Sequence, residues 1–154
     1  MMIRKAKLKD IAQITELALK LIKYHANFDP FYTPAKNVKE VYYKFFRRCV
    51  YSPNRLLLVA EEQNKIRGYA LGETGSRPPV FKIRKIGLVS DMVVDEKMRK
   101  KGIAKLFLSE LFDWFRNKKL DCAELTVHSK NEVGRKAWSK CGFETYMSKQ
   151  RLIL

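Results

Sequence analysis

Between Ile86 and Ala104 the chain passes from an apolar, strand-like segment through a basic turn with one glycine straight into an amphipathic helix. No other stretch restricts the fold and its chemistry as much. Asp91-Met92-Val93-Val94 closes the strand, and Arg99-Lys100-Lys101-Gly102 makes the turn. Ile103, Phe107, Leu111 and Phe115 then recur at four-residue spacing on one helical face. A helix starting directly after such a turn presents free backbone N–H groups at the positive end of its dipole, a geometry that binds phosphate. Gly102 would let the backbone approach an anion closely, and Ala104 would keep the first turn uncrowded. Arg99, Lys100 and Lys101 add countercharge. Neither GxxxxGK(S/T) nor GxGxxG occurs, so a P-loop or Rossmann assignment has no support. Taken alone, the turn fits either an anion site or an ordinary surface turn before a helix.

The rest of the chain alternates between the two periodicities. Met1 to Ala6 reads as a first or edge strand, and Ile11, Ile14, Leu17, Ala18, Leu21 and Ile22 share one helical face. A turn-rich aromatic loop runs from Phe28 to Pro34, and Val38 to Val50 reads as a second helix with Val41, Tyr42, Phe45 and Phe46 on one side. Leu56 to Ala60 is a buried strand, Glu62 to Lys65 a hairpin turn, and Ile66 to Gly72 the antiparallel return. After the strand and helix described first come a strand over Cys122 to Val127, a helix over Asn131 to Cys141, and one or two last strands within Phe143 to Leu154. The order β-α-α-β-β-β-α-β-α-β predicts an α/β (α+β) fold, a single mixed sheet flanked by helices. The 154 residues suit one domain spanning 1–154.

Composition excludes some classes and leaves others open. No apolar run approaches the ~20 residues of a membrane-spanning helix, and Met1 to Asp10 lacks the apolar centre of a secretory signal. A cytoplasmic protein with no membrane partner is the expectation. The three cysteines, Cys49, Cys122 and Cys141, are far apart and form no CxxC pair, so no disulfide framework or metal site is expected. The net charge of +16 implies attraction to polyanions, or simply a lysine-rich solvated surface. A basic nucleic-acid- or ribosome-associated module is therefore an alternative. It ranks lower because aromatic and basic residues do not alternate on any strand as an RNA-stacking sheet requires.

The strand, Arg99-x-x-Gly102-x-Ala104 and the amphipathic helix after it resemble the acetyl-CoA-binding signature of the GCN5-related N-acetyltransferases (GNAT). Val127, Asn131, Ala137, Trp138 and Gly142-Phe143 resemble the strand, Asn, helix and Gly-Phe pattern that closes that fold. The resemblance covers essentially the whole chain. It implies transfer of an acetyl group from acetyl-CoA to a primary amine, of a small molecule or of a protein, by direct attack in a ternary complex that leaves CoA as product. It also implies that main-chain groups of Met92, Val93 and Val94 would pair with the pantetheine arm as an added strand. One amide, at Val93 or Val94, would stabilise the oxyanion of the tetrahedral intermediate. The amides of Arg99, Lys100, Lys101, Gly102, Ile103, Ala104 and Lys105 would hold the pyrophosphate, and Asn131 would contact the far side of the cofactor or cap its helix.

Members of this family often carry a tyrosine four residues before the Gly-Phe pair, where it can protonate the departing thiolate. This sequence has Trp138 there, either packed beside the thioester or marking a non-catalytic acyl-CoA-binding protein. Tyr146 is the nearest later phenol and the substitute candidate for the acid. An alkylamine of pKa ~10 needs a base before it can attack. Asp91 is the first candidate, since an ionisable group in an apolar strand is costly unless used or paired. Ser90 could position a water instead. His128, at the end of the following strand, is the other candidate base or an exposed loop residue. Acceptor choice in this family lies with the first two helices and their loop. There His25, Phe28, Asp29 and Phe31 suit a cationic, partly apolar amine, unless the aromatics are simply core. A strand over Ser148 to Leu154 could pair two subunits into a homodimer.

Overall fold

The computed structural model describes residues 1–154. Its sheet has five strands in chain order: β1 (Met2–Lys5), β2 (Arg55–Glu62), β3 (Lys65–Ser76), β4 (Lys85–Val94) and β5 (Ala123–Glu124). The first four pair antiparallel, and β5 joins β4 in parallel. Four helices cover the sheet: α1 (Ile11–Ala26), α2 (Val38–Tyr51), α3 (Ile103–Asn117) and α4 (Glu132–Lys140).

The continuous apolar run of β2 exists because both of its faces are covered. Leu57 and Val59 join Ile11, Ile14, Ala18, Phe46 and Tyr69 in the core beneath α1 and α2. Leu56, Leu58 and Ala60 join Phe107, Leu111 and Phe115 in the core beneath α3. Trp138 and Phe143 pack against that second core, which places α4 on the α3 side. A Cβ on Gly87 would lie 2.7 Å from the Phe115 ring, so glycine there lets the ring rest on the sheet. On α2 the buried stripe is Phe46 and Cys49 flanked by Tyr42 and Phe45, while Val41 turns to solvent, one position away from the expected face.

β4 contains one residue more than its partner. Leu71 faces Asp91 and Gly72 faces Val89, which leaves Ser90 unpaired as a bulge. Below the bulge, Val89 points into the α3 core. Above it, Met92 and Val94 do so, and Val93 packs on the α1–α2 side. Pairing with β5 is confined to Gly87–Ala123 and Leu88–Glu124. The strand expected over Cys122 to Val127 is therefore only two residues long, because the chain diverges from β4 where β4 bends. No strand forms in 143–154, so the expected last strands are absent and the fold closes on helix packing, with Phe143 against Trp138 and Phe112.

β1 is held by a buried ion cluster. Arg4 donates from Nε to Glu61 at 2.6 Å and from Nη1 to Asp10 at 2.7 Å, and the Lys7 amide donates to Asp10 at 2.8 Å. Burial alone would raise the Asp10 carboxyl, but Arg4 and the Lys7 amide outweigh it and hold it below the ordinary carboxylate range. Arg4→Ala should cost about 3 kcal/mol in urea unfolding at pH 7, since it strands a buried carboxylate. A lowered folded pKa contributes stability above the unfolded value of about 4. The deficit should therefore narrow as pH falls below that value.

Candidate active site

Above the bulge, β4 has an unpaired edge. The Asp95 amide donates to the Arg67 carbonyl at 2.7 Å, so by antiparallel alternation the main-chain groups of Val93 also face β3. Those of Met92 and Val94 face the open side. Of the three residues expected to offer main-chain groups there, two do so and Val93 is occupied by β3.

The turn that follows is anchored at both ends. Met98 is buried in the α3 core, and Asp95 Oδ1 accepts from the Lys97 amide at 3.1 Å. Lys100 and Gly102 both take positive φ, +64° and +79°. Nothing lies within 4 Å of where a Cβ on Gly102 would project, so its glycine answers to backbone conformation with open space above it. Gly102 caps α3 without any side-chain hydrogen bond. The first α3 amides, Ile103, Ala104 and Lys105, have no acceptor within the protein. With Arg99, Lys100, Lys101 and Lys105 around them, they form an unsatisfied, electropositive cradle adjoining the open edge of β4. A phosphorylated ligand with an extended polar arm fits this arrangement: phosphates on the helix start, arm along β4.

The bulge turns Asp91 toward α1 and α2. Its Oδ2 accepts a 2.5 Å hydrogen bond from the Tyr69 hydroxyl. Burial pushes the Asp91 carboxyl up to about 6, while the Tyr69 hydroxyl and the Met92 amide hold it from rising further. No lysine or arginine is bonded to it, so the alternative of a simple ion pair is not realised. Ser90 donates instead to Glu73 at 2.5 Å, and Glu73 is paired with Arg55.

The aromatic loop between α1 and α2 packs against the segment after β5. His128 stacks on Phe28 with centroids 5.9 Å apart and meets Tyr32 edge-on. The Lys130 amide donates to His128 Nδ1 at 3.1 Å, which leaves Nε2 as the protonated nitrogen, 3.4 Å from Asp29 Oδ2. Both ring nitrogens therefore face groups of the protein itself. Asp29 also accepts from the Phe31 amide at 3.0 Å and from Arg151 at 2.8 and 3.0 Å, and Arg151 lies 4.1 Å over the Phe31 ring. The Phe31 amide bond is the foremost reason that the Asp29 carboxyl lies below its ordinary range, followed against burial by the Arg151 and His128 bonds. His25 sits among Phe28 and Tyr32, its pKa lowered by burial and by nearby His128.

Asn131 caps α4, its Oδ1 accepting from the Gly134 amide at 2.9 Å and from Tyr24 at 3.4 Å. Trp138 packs edge-on against Phe143. Tyr146 is exposed beside Glu124, whose hydrogen bond raises its pKa, at the paired end of β5 rather than at Asp91. Sequence reasoning missed Tyr69 and Arg151. Tyr69 reads as one more apolar strand residue, and Arg151 as one basic residue among many.

The Acetyltransferase (GNAT) family profile matches residues 21–143. A search of curated proteins found no match. Among solved structures, a tetramutant of the BH1408 protein from Bacillus halodurans is similar at 24% identity with a TM-score of 0.90, over all of both chains. A predicted acetyltransferase from Clostridium acetobutylicum, solved with acetyl-CoA, is 22% identical with a TM-score of 0.76, over 99% of this chain and 95% of that one. The aminoglycoside antibiotic 6'-N-acetyltransferase from Acinetobacter haemolyticus is 13% identical with a TM-score of 0.76, over 98% and 99%. At these identities the likeness shows a shared fold.

Asp29→Ala removes every side-chain acceptor that joins the aromatic loop to His128 and Arg151. Hydrogen exchange at the Phe31 amide should accelerate in that variant, while the amides of β2 and β3 keep their protection.

Proposed function

The chain belongs to the acetyltransferase (GNAT) family, and from that premise we propose that it is an N-acetyltransferase which passes an acetyl group directly from acetyl-CoA to a primary amine. Bound acetyl-CoA supplies the acetyl thioester that the amine attacks, the C–N bond forming as the C–S bond breaks and the thiolate departs. The cradle formed by Arg99, Lys100, Lys101, Gly102, Ile103, Ala104 and Lys105 binds the pyrophosphate. The outward groups of Met92 and Val94 align the pantetheine arm, and the Val94 amide polarises the reacting carbonyl. Asn131 sets the start of α4 on the far side of the cleft, and Trp138 walls it through Phe143.

Asp91 takes the proton that the amine gives up. This single observation carries the mechanism: a carboxylate unpaired with any cation, turned to the helix face opposite α3, with its pKa raised by burial to about 6. A base poised there is ionised at neutral pH yet still basic enough to accept a proton. His128, with both nitrogens engaged, orients the aromatic loop instead. The acceptor meets the faces of His25, Phe28 and Phe31, and Asp29 keeps that loop in place. A thiol of pKa ~8.5 leaves without an acid, so neither Trp138 nor Tyr146 is required to protonate it. No helix is long and apolar enough to cross a membrane.

Thiol release from acetyl-CoA in the presence of a panel of small amines and peptides tests the reading. Failure to bind CoA by calorimetry would remove it. Asp91→Asn should lower kcat by about 100-fold or more, the scale of general-base catalysis, with little change in CoA affinity. Because the base must be ionised, wild-type kcat should be half-maximal at about pH 6, level off about one unit above it, and fall further as pH drops. Gly102→Ala forces a left-handed φ on a residue with a Cβ, costing ~1–2 kcal/mol. CoA should then bind about tenfold more weakly in calorimetry.

A further inference from the structure

We propose that Tyr69 is a positioning residue for the reaction, its buried hydroxyl clamping one oxygen of Asp91 so that the other faces the incoming amine. This rests on the reading of Asp91 as the base. Tyr69 is fully buried, and its ring packs edge-on against Phe46 at 5.3 Å. Phe46 in turn stacks on Tyr42 at 5.7 Å. A phenol held this way cannot swing, and its oxygen has one hydrogen-bond partner, Asp91 Oδ2 at 2.5 Å. Oδ1 receives no side-chain hydrogen bond.

Packing alone would be served equally by phenylalanine. Burying a hydroxyl costs free energy unless it is bonded, so the oxygen at this position has its use in the Asp91 bond. The groups around Asp91 are few. Tyr69 reaches it from β3, and Tyr42 stands near from α2 without bonding to it. The Met92 amide comes from β4 itself. Ser90 turns to Glu73, which Arg55 neutralises. The buried residues of α1 on this face, Ile11, Ile14, Thr15, Leu17 and Ala18, carry no charge. Tyr69 keeps its proton throughout the working range, because burial and the Asp91 charge push its pKa well above the ordinary phenol value. It is therefore always a donor, and it stabilises the ionised form of the carboxylate.

Tyr69→Phe keeps the ring and removes only that donor. A hydrogen bond to a charged group is equivalent to about one pKa unit or somewhat more, so the acid limb of the kcat profile should move up by about one pH unit. The KM for acetyl-CoA should not change. Carbon-13 titration of the Asp91 carboxyl in the substrate-free protein should show the same shift, and Tyr42→Phe should leave it in place. An Asp91 titration unmoved in Tyr69→Phe, or moved equally by Tyr42→Phe, overturns the proposal. A second measurement does not depend on that variant folding: in Asp91→Asn, the Tyr69 Cζ carbon-13 shift, which reports the bond its hydroxyl donates, should change at constant pH, and its staying fixed counts against the pair. Undiminished activity in Asp91→Asn would instead overturn the base assignment, a separate failure, since the carboxyl titration reads the Tyr69–Asp91 link without turnover.

Discussion

A β-strand alternates its side chains between two faces, and one inserted residue reverses every face assignment beyond it. Ser90 is that residue in β4. Gly87 and Val89 face α3 below it, so uninterrupted alternation would send Asp91 into the α3 core against leucine and phenylalanine side chains. The bulge sends Asp91 the other way, onto the Tyr69 hydroxyl, and gives the α3 face to Met92 and Val94 instead. It also reverses the main chain, so that Met92 and Val94 turn their amides toward the edge that β5 leaves open. The placement of Asp91 on Tyr69 and the outward-facing main chain of Met92 and Val94 thus follow from one extra residue.

The basic turn depends on the same geometry. Met98 fixes it to the α3 core, and positive φ at Lys100 and Gly102 brings the chain round to begin α3 with unsatisfied amides. Those amides lie next to the unpaired end of β4, so the unsatisfied helix start and the open strand edge form one continuous polar surface. The large positive charge of the chain adds a long-range field, but position comes from the amides, which are fixed in direction.

On the opposite face, Asp29 gathers the aromatic loop. Its oxygens bind the Phe31 amide, Arg151 and His128, which ties together residues from three distant parts of the sequence. The carboxylate that reads from sequence as a partner for a cationic acceptor is already saturated by the protein's own groups. The rings around it are likewise engaged, with Arg151 over Phe31 and His128 stacked on Phe28.

The local features were legible in the order of residues alone. Apolar periodicity gave four helices close to their observed bounds, the hairpin between β2 and β3, and the strand–turn–helix with its glycine, because these depend on neighbours within a few residues. The resemblance carried by Arg99 to Ala104 and Asn131 to Phe143 extended that reading to the fold. The chain's long-range pairings lay outside its reach. Tyr69 and Asp91 are 22 residues apart and meet only because the β3–β4 register shifts at Ser90, which no local pattern marks in a strand buried on both faces. Asp29 and Arg151 are 122 residues apart, and their pairing depends on where the chain after α4 passes. The expected strands in 143–154 failed for the same reason: an apolar run can be a strand only where a neighbouring edge accepts it, and tertiary structure alone supplies that edge.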